Sequence, residues 1–426
     1  MQTGFAPIAA VLTAKLKRFV SQTNSKVTHK VLTDTMVTPS KPLQFHLWMP
    51  NLFNYKGGIQ VYSAHFLEAL QNLYPATQLE VFLKHDVDHP LQTLTRPNTR
   101  FHYAGRYPLT LRTPIFAAQL MGWGLWQRPA LVLATHLHFT VAAHYLKRLT
   151  GIPYWAVAHG VEAWNITQPP LQAALHEADR ILAVSNFTRD RLLQEQNLDP
   201  AKVVLLPNTF NPDRFHIAAK PTALLQQYHL LPEQPIMLTV ARLAEAERYK
   251  GYDQLLAALP TIRQTIPNLH YIIVGEGSDR PRLEQLITQL QLQDCVTLAG
   301  FVPDRDLCDY YNLCDVFAMP SKREGFGIVY LEAMACGKPV LGGNQDGALD
   351  ALRNGELGVL VNPNDVFEIA QTIIQILQKG YQNPLIYQPE QLRQKVINTF
   401  GLASFKATLG EYLNGYFMNE STSVSQ

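Results

Sequence analysis

The segment Ser321-Lys-Arg-Glu324-Gly-Phe-Gly-Ile-Val-Tyr-Leu-Glu332-Ala-Met-Ala-Cys-Gly337-Lys-Pro339 holds the densest set of residues able to do chemistry. It follows an apolar run, Val316–Met319, so Gly325 and Gly327 form a turn between a strand and a helix that begins at about Gly327. Such a turn exposes amide N–H groups, and the helix dipole adds positive potential at the same place, which makes an anion site. Gly337 and Pro339 stop the helix. Within it, the neighbours of Glu332 three and four positions away are Ile328, Val329, Ala335 and Cys336, an apolar surface. A carboxylate placed there is costly unless it is hydrogen-bonded. Either internal donors or the hydroxyls of a ligand must meet it.

Cations stand at a second strand end. Val240-Ala-Arg242-Leu243 closes the run Ile236–Val240, and Lys250-Gly251 opens the next helical stretch. A guanidinium fork and an ammonium at a strand's carboxyl end can together hold a diphosphate. Taken alone, an Arg–Lys pair is ordinarily a solvated surface. Gly57-Gly58-Ile59 follows the run Leu43–Met49 and opens a helix, and Ala158-His159-Gly160-Val161-Glu162 follows Tyr154–Ala158. His136 and His138 read as structural, with a part in shaping a cleft. Asp86-Val87-Asp88 has the spacing of a metal-binding acidic triplet, a pattern short enough to recur by chance.

The elements that position these residues alternate in kind. Apolar runs at Leu43–Met49, Leu79–Leu83, Leu131–Ala134, Tyr154–Ala158, Ile181–Val184 and Val203–Leu206 are separated by helical-period stretches such as Val61–Leu73 and Asn186–Gln196. Turn formers at Pro207–Asp213 interrupt the rhythm. A second series runs through Ile236–Val240, Tyr271–Val274, Val296–Ala299, Val316–Met319, Pro339–Leu341 and Gly358–Val361, with helical patterns at Tyr252–Ile262 and Pro281–Leu290. Strands alternating with helices imply βαβ units, so the expected fold class is α/β, with two doubly wound, Rossmann-like parallel-sheet domains facing across a cleft. Ligands of such sheets bind at the carboxyl ends of strands, where every residue named above falls. The expected organisation is a poorly ordered basic extension at 1–42, a first domain at 43–210, a linker at 211–231, a second domain at 232–400, a helix at 401–418 and a disordered tail at 419–426.

Length and composition set the remaining bounds. A chain of 426 residues with 47% hydrophobic residues is an ordinary globular protein, which excludes fibrous and wholly disordered classes. The net charge of +2 conceals an uneven distribution: residues 1–160 carry 15 Lys/Arg against 5 Asp/Glu, and residues 161–426 carry 21 against 29. No acidic residue lies between His89 and Val161, and all five Trp fall in or just beyond this basic part. Such a half faces an anionic partner. Four cysteines without a C-x-x-C pair suit a reducing, cytoplasmic compartment. No apolar run approaches the ~18 residues that a spanning helix needs.

Glu324 and Glu332, with seven residues between them and Gly-Phe-Gly after the first, resemble the E-x7-E signature of retaining glycosyltransferases of the GT-B fold, especially glycosyltransferase family four. The resemblance covers about residues 43–418 and rests on several motifs in the expected order. It implies that Glu332 binds the ribose hydroxyls of a nucleotide sugar and that Glu324 contacts the donor sugar ring. The backbone of Gly325, Phe326, Gly327 and Ile328 would lie along sugar and phosphates. Arg242 and Lys250 would hold the diphosphate, although six residues (Ala244–Tyr249) make this element longer than the family's R-L-x-x-x-K-G form. Gly57 and Gly58 would bring their amides to it from the other domain, and His159 would stand beside the donor sugar and the reacting centre. Ser185 would lie at the cleft wall. Val302, in Gly300-Phe301-Val302, belongs to the loop whose backbone reads the base. Gly275-Glu-Gly277 resembles the family's G-x-G turn, and Gly342-Gly343-Asn344-Gln345-Asp346 departs from its commoner G-G-x-x-E form, which leaves Asp346 without an assigned role. The last helical stretch, about Ala403–Tyr416, would cross back to the first domain.

The activity so implied is hexose transfer from a UDP- or GDP-sugar to an acceptor hydroxyl with retention of configuration, without metal and without cofactor. The acceptor expected is a glycolipid, lipid-linked saccharide or polysaccharide precursor bound by the basic first domain. Among anionic partners this favours a membrane surface over nucleic acid, with peripheral attachment at the inner face. The alternatives are a GT-B epimerase or phosphorylase using the same cleft, a non-catalytic sugar-nucleotide-binding module, and a GT-A enzyme reading Asp86-Val87-Asp88 as its metal element.

Overall fold

The computed structural model describes residues 43–53, 57–88 and 94–423. The expected extension at 1–42 lies outside the described residues, as do 424–426. Two sheets organise the rest. The first has seven strands, β1 (Gln44–Met49), β2 (Gln78–Leu83), β3 (Thr99–Tyr103), β4 (Leu131–Ala134), β5 (Tyr154–Ala158), β6 (Arg180–Ala183) and β7 (Val203–Leu205), in the order β3-β2-β1-β4-β5-β6-β7. The second has six, β8 (Ile236–Val240), β9 (His270–Val274), β10 (Val296–Gly300), β11 (Val316–Met319), β12 (Val340–Gly343) and β13 (Val359–Val361), in the order β10-β9-β8-β11-β12-β13. All the pairings are parallel. Helices cover both faces, which is why the central strands are largely apolar on both sides; Leu47 and Trp48 face opposite ways and both are buried.

Strand order reverses beside β1 in the first sheet and beside β8 in the second. The loops leaving β1 and β4, and those leaving β8 and β11, therefore diverge around a crevice at each switch point. Gly57 and Gly58 follow β1 and His159 follows β5; Arg242 and Lys250 follow β8, and Glu324 follows β11. Asp86, after β2, is buried and accepts hydrogen bonds from the amides of Leu52 (2.6 Å) and Phe53 (3.3 Å). The Asp-x-Asp spacing thus serves the loop after β1.

The chain crosses between the lobes twice, at neighbouring points. Phe210 and Gly401 form a parallel bridge, and the Thr209 hydroxyl donates to the Phe400 carbonyl at 2.8 Å. The segment 211–231 is docked on the second lobe: the Ala218 amide donates to Asn312 Oδ1 (2.9 Å), and the Tyr228 and Tyr310 hydroxyls lie 2.6 Å apart. The final helix, Leu402–Ser423, packs on the first lobe. Its Tyr412 donates to the Leu205 carbonyl (2.9 Å), its Asn414 accepts from Tyr74 (2.7 Å), and its Phe417 stacks on Phe45 with 5.7 Å between centroids. It runs past the expected end at 418 because no Gly or Pro follows Gly415.

Candidate active site

The turn after β11 is built as its glycines require. Gly327 is the N-cap of the helix Ile328–Ala335, with φ +91° and no side-chain cap, so the first amides of that helix are free to face a ligand. Phe326 is buried and packs edge-on against Phe400, and Ile328 is buried too, so only their backbone can serve a ligand. At Gly325 the two lobes pack backbone to backbone: a Cβ there would lie 1.8 Å from the His159 carbonyl oxygen and 3.1 Å from Gly160 Cα. Gly325→Ala is therefore expected to push the lobes apart at this point, lowering stability by ~1–3 kcal/mol, as overpacking does, together with activity. Thermal melts beside initial rates check it; an unchanged rate would argue that the contact is not needed for turnover.

Lys250 and Glu324, 74 positions apart, form an ion pair in which the ammonium donates to Glu324 Oε2. Burial alone would lower the lysine, but the carboxylate overrides it and holds Lys250 above its ordinary range. It remains an ammonium throughout the neutral range. The lengthened loop before it folds as a 3-10 turn, Glu245–Lys250, in which Glu247 pairs with Arg242 and Arg248 Nε reaches Asp279 at 2.8 Å. Asp279 is buried, bonded by Arg282, and held down to about 2 by that guanidinium first. At the end of the turn Gly251, with φ +89°, lies where any side chain would strike the Pro320 carbonyl at 2.4 Å. This close packing brings Lys250 to the Glu324 loop. Arg242 is two-thirds exposed and faces open space beside Glu247.

Glu332 is half-buried on the next turn of the same helix. Burial pushes its carboxyl up to about 7, and the Tyr311 hydroxyl, donating to Oε2 at 2.7 Å, pulls the other way. That leaves acceptor capacity on the carboxylate for a ligand's hydroxyls. Val302, after β10, is buried in the same apolar cluster as Tyr311, while Phe301 beside it is 62% exposed.

From the first lobe, His159 Nε2 meets the Thr135 carbonyl at 2.8 Å. A carbonyl only accepts, so Nε2 carries the proton and Nδ1 keeps its lone pair. Burial pushes this imidazole down to about 4, so it is neutral near pH 7. The His159 amide donates to Glu162 (2.6 Å), and the ring packs edge-on to Tyr62, 4.9 Å between centroids. Tyr62 belongs to the helix Gly58–Leu73, whose N-cap is Gly57 and which has neither an acidic first turn nor a side-chain cap. Among the described residues, a Cβ on Gly58 would meet nothing within 4 Å. Ser185 caps the helix Asn186–Gln196 by accepting from the Thr188 amide, at 3.0 Å.

Three contributors escaped the sequence reading. Asp346, left without a role, is buried and accepts from the amides of Glu324 (2.6 Å) and Ala348 (3.0 Å); burial pushes it up to about 7. With the Gly347 amide donating to the Glu324 carbonyl at 2.8 Å, it fixes the backbone of the turn. Tyr311 orients Glu332, and no spacing rule links the two. Asp350 accepts from the amides of Asn186 (2.9 Å) and Phe187 (3.2 Å), so a carboxylate of the second lobe sits at the helix N-terminus that Ser185 caps in the first.

Comparison with known proteins gives a consistent picture. A family model described as "Glycosyltransferase Family 4" matches residues 56–214, and one described as "Glycosyl transferases group 1" matches 223–397. A GDP-mannose-dependent alpha-(1-6)-phosphatidylinositol monomannoside mannosyltransferase of Mycolicibacterium smegmatis is 31% identical over 233 residues, covering 52% of this chain and 60% of that protein. The mannosylfructose-phosphate synthase of Agrobacterium fabrum is 27% identical over 204 residues, 46% of this chain and 44% of that one. The chain therefore spans 60% or less of the length of these curated relatives. Among solved structures, the sucrose-phosphate synthase of Thermosynechococcus elongatus superposes with a TM-score of 0.74 at 23% identity, covering 88% of this chain and 100% of that one. Anabaena HepE, in complex with UDP and glucose, does so with a TM-score of 0.70 at 19% identity, again covering 88% and 100%. At these identities the likeness is one of fold.

Proposed function

From a chain that belongs to the GT-B glycosyltransferases of the family-four type, we infer an enzyme that moves a hexose from a UDP- or GDP-sugar to an acceptor hydroxyl, with retention of configuration and without a metal. The observation that carries the reading is the convergence on one turn: Lys250 pairs with Glu324, and the His159 carbonyl packs on Gly325 from the other lobe. In this reading Glu332 takes the ribose hydroxyls and the loop at Val302 takes the base. Arg242, Lys250 and the amides of Gly58 and Gly327 take the diphosphate, with Gly57 setting the approach. The sugar lies between Glu324, the backbone Gly325–Ile328 and His159, whose Nδ1 accepts from a sugar hydroxyl.

Transfer breaks the bond between the anomeric carbon and the diphosphate oxygen. The acceptor oxygen bonds to that carbon from the same face, and its proton passes to the departing diphosphate. Arg242, Lys250 and the amides stabilise the charge that develops on the leaving group. A neutral, buried imidazole suits a group that orients the sugar without adding charge at the anomeric carbon. The acceptor is a glycolipid or lipid-linked saccharide. The mannosyltransferase relative, named for a phosphatidylinositol monomannoside, supports this.

A panel of UDP- and GDP-sugars, read by thermal melting, tests the donor. The matching sugar nucleotide at a hundredfold its Kd is expected to stabilise the protein by ~2.7 kcal/mol. The anomeric configuration of the product, followed by NMR with and without EDTA, tests the rest. Inversion, or a rate abolished by EDTA, would overturn the mechanism; a panel with no response would overturn the donor class.

A further inference from the structure

Two of the cysteines, 28 positions apart in sequence, meet in the second lobe: Cys308 Sγ lies 3.9 Å from Cys336 Sγ, and both are free thiols. Cys308 stands in the first turn of the helix Leu307–Leu313, and Cys336 caps the helix Ile328–Ala335. These two helices carry Tyr311 and Glu332, each one turn from its cysteine. Whatever joins the sulfurs therefore acts beside the bond that orients Glu332.

The surroundings of Cys308 differ from those of the other thiols. Cys295 and Cys314 donate to the carbonyls of Leu292 (3.5 Å) and Tyr311 (3.3 Å), and burial pushes them up to about 11 and about 12. The Cys308 sulfur instead meets Asn312 Nδ2 at 3.4 Å and His216 Nδ1 at 3.6 Å, with the His216 carbonyl further off at 3.8 Å. The hydrogen bond from Cys336 outweighs burial and holds Cys308 below its ordinary range, and the same bond pushes Cys336 up. Donors around a sulfur favour its thiolate, the reactive form. His216 is exposed and Cys308 keeps 6% of its surface, whereas Cys336 is fully enclosed, so a small oxidant meets Cys308 first.

We propose that Cys308 and Cys336 are a reversible redox site, which a peroxide oxidises to a disulfide that loosens the hold on the donor through Tyr311 and Glu332. The Cys308 thiolate attacks one peroxide oxygen: an S–O bond forms, the O–O bond breaks, and the hydroxide released takes up the thiol's proton, by way of His216, as water. The Cys336 sulfur then displaces the remaining hydroxyl from Cys308, and its own proton leaves with that hydroxyl as a second water. Two thiols lose two electrons and one peroxide gains them. A dithiol reverses the step by exchange, so in a reducing compartment the bond is transient. A disulfide needs ~2.05 Å between its sulfurs, so these two must approach by roughly 2 Å. Cys308, Tyr311 and Cys336 belong to one buried cluster, and so close-packed an interior transmits such a displacement. The dithiol chemistry stands on this geometry alone; its effect on the donor rests on Glu332 holding the ribose.

Treatment of the full chain with a slight excess of hydrogen peroxide, followed by alkylation and peptide mapping, tests it. The expected product carries a Cys308–Cys336 crosslink, keeps free thiols at Cys295 and Cys314, and returns to four thiols with dithiothreitol. In the oxidised protein KM for the donor should rise by roughly tenfold or more, the scale of one hydrogen bond to a charged group, with a smaller change in kcat. Cys308→Ser should transfer sugar at the parent's rate and show no response to peroxide; Cys308→Ala replaces it if the buried hydroxyl unfolds the protein. Cys295→Ser should respond as the parent does. Absence of the crosslink, prior loss of Cys295 or Cys314, an unchanged KM in the crosslinked protein, or a peroxide response that persists without Cys308 would each overturn the proposal. A reduced protein that binds no sugar nucleotide yet forms the crosslink overturns the donor reading and leaves the dithiol site standing.

Discussion

Lys250→Met and Arg242→Ala are each expected to lower kcat by roughly 10²-fold or more, the scale on which a preorganised charge at a leaving group acts. The two variants report different things. Arg242 is largely exposed and pairs with Glu247, so its loss should leave the melting temperature almost unchanged. Lys250 is mostly buried against Glu324, and removing one partner of such a pair leaves an uncompensated carboxylate, a destabilising change. Lys250→Met/Glu324→Gln separates the effects. The neutral pair should recover much of the lost stability and none of the rate. Rates and melts on the four proteins form a double-mutant cycle. Near-normal turnover in either cation variant would sink the assignment of the diphosphate site.

Glu332→Gln is expected to weaken donor binding by roughly 10²-fold, since hydrogen bonds to a charged carboxylate are each worth ~1.5–3 kcal/mol. It should also change how the protein responds to pH. In the free enzyme the carboxyl stands at about 7, above its ordinary 4.5. The folded state therefore binds the proton more tightly than the unfolded state, and this residue's contribution to stability declines as pH rises from about 4.5 to 7. Ribose hydroxyls favour the ionised form, so donor affinity should fall as pH drops below about 7. Glutamine removes both dependences. The variant should melt higher than the parent above pH 7 while binding the donor worse. Calorimetric titration of the matching nucleoside diphosphate at several pH values checks this. Unchanged affinity would move the ribose elsewhere.

Much of this was legible beforehand, for identifiable reasons. Buried parallel strands are largely apolar on both faces, so β1, β2 and β4 to β13 stand out in the sequence as short runs between turn formers. β3 does not: Thr99-Arg-Phe-His-Tyr103 is an edge strand that alternates polar and apolar residues. The helix Leu109–Gln127 was hidden as well, because Pro114 interrupts it and its exposed side is apolar, which erases the usual period. Glu324, Glu332 and the glycines sit in one continuous segment, so residue types and spacing marked them as candidates and the family resemblance supplied their expected roles. Lys250 was ambiguous in register until the 3-10 turn showed how the lengthened loop returns it to Glu324. Tyr311 and Asp346 act through bonds across the fold, and no local pattern encodes those.

The double passage at Phe210 and Gly401 has a consequence for how such enzymes diversify. Because the last helix belongs to the first lobe, that lobe is not a contiguous stretch of chain, and a gene cut once near residue 210 would deliver a first lobe lacking the partner of Tyr74, Leu205 and Phe45. Exchange of the second lobe therefore needs two joints, one near 210 and one near 401, made together. A chimera spliced at both inherits the bridge between the two passages; one spliced at either alone must repack a foreign helix against its own sheet. Acceptor choice should then drift mainly by substitution and loop insertion, and donor choice should be the trait that moves between relatives as a cassette.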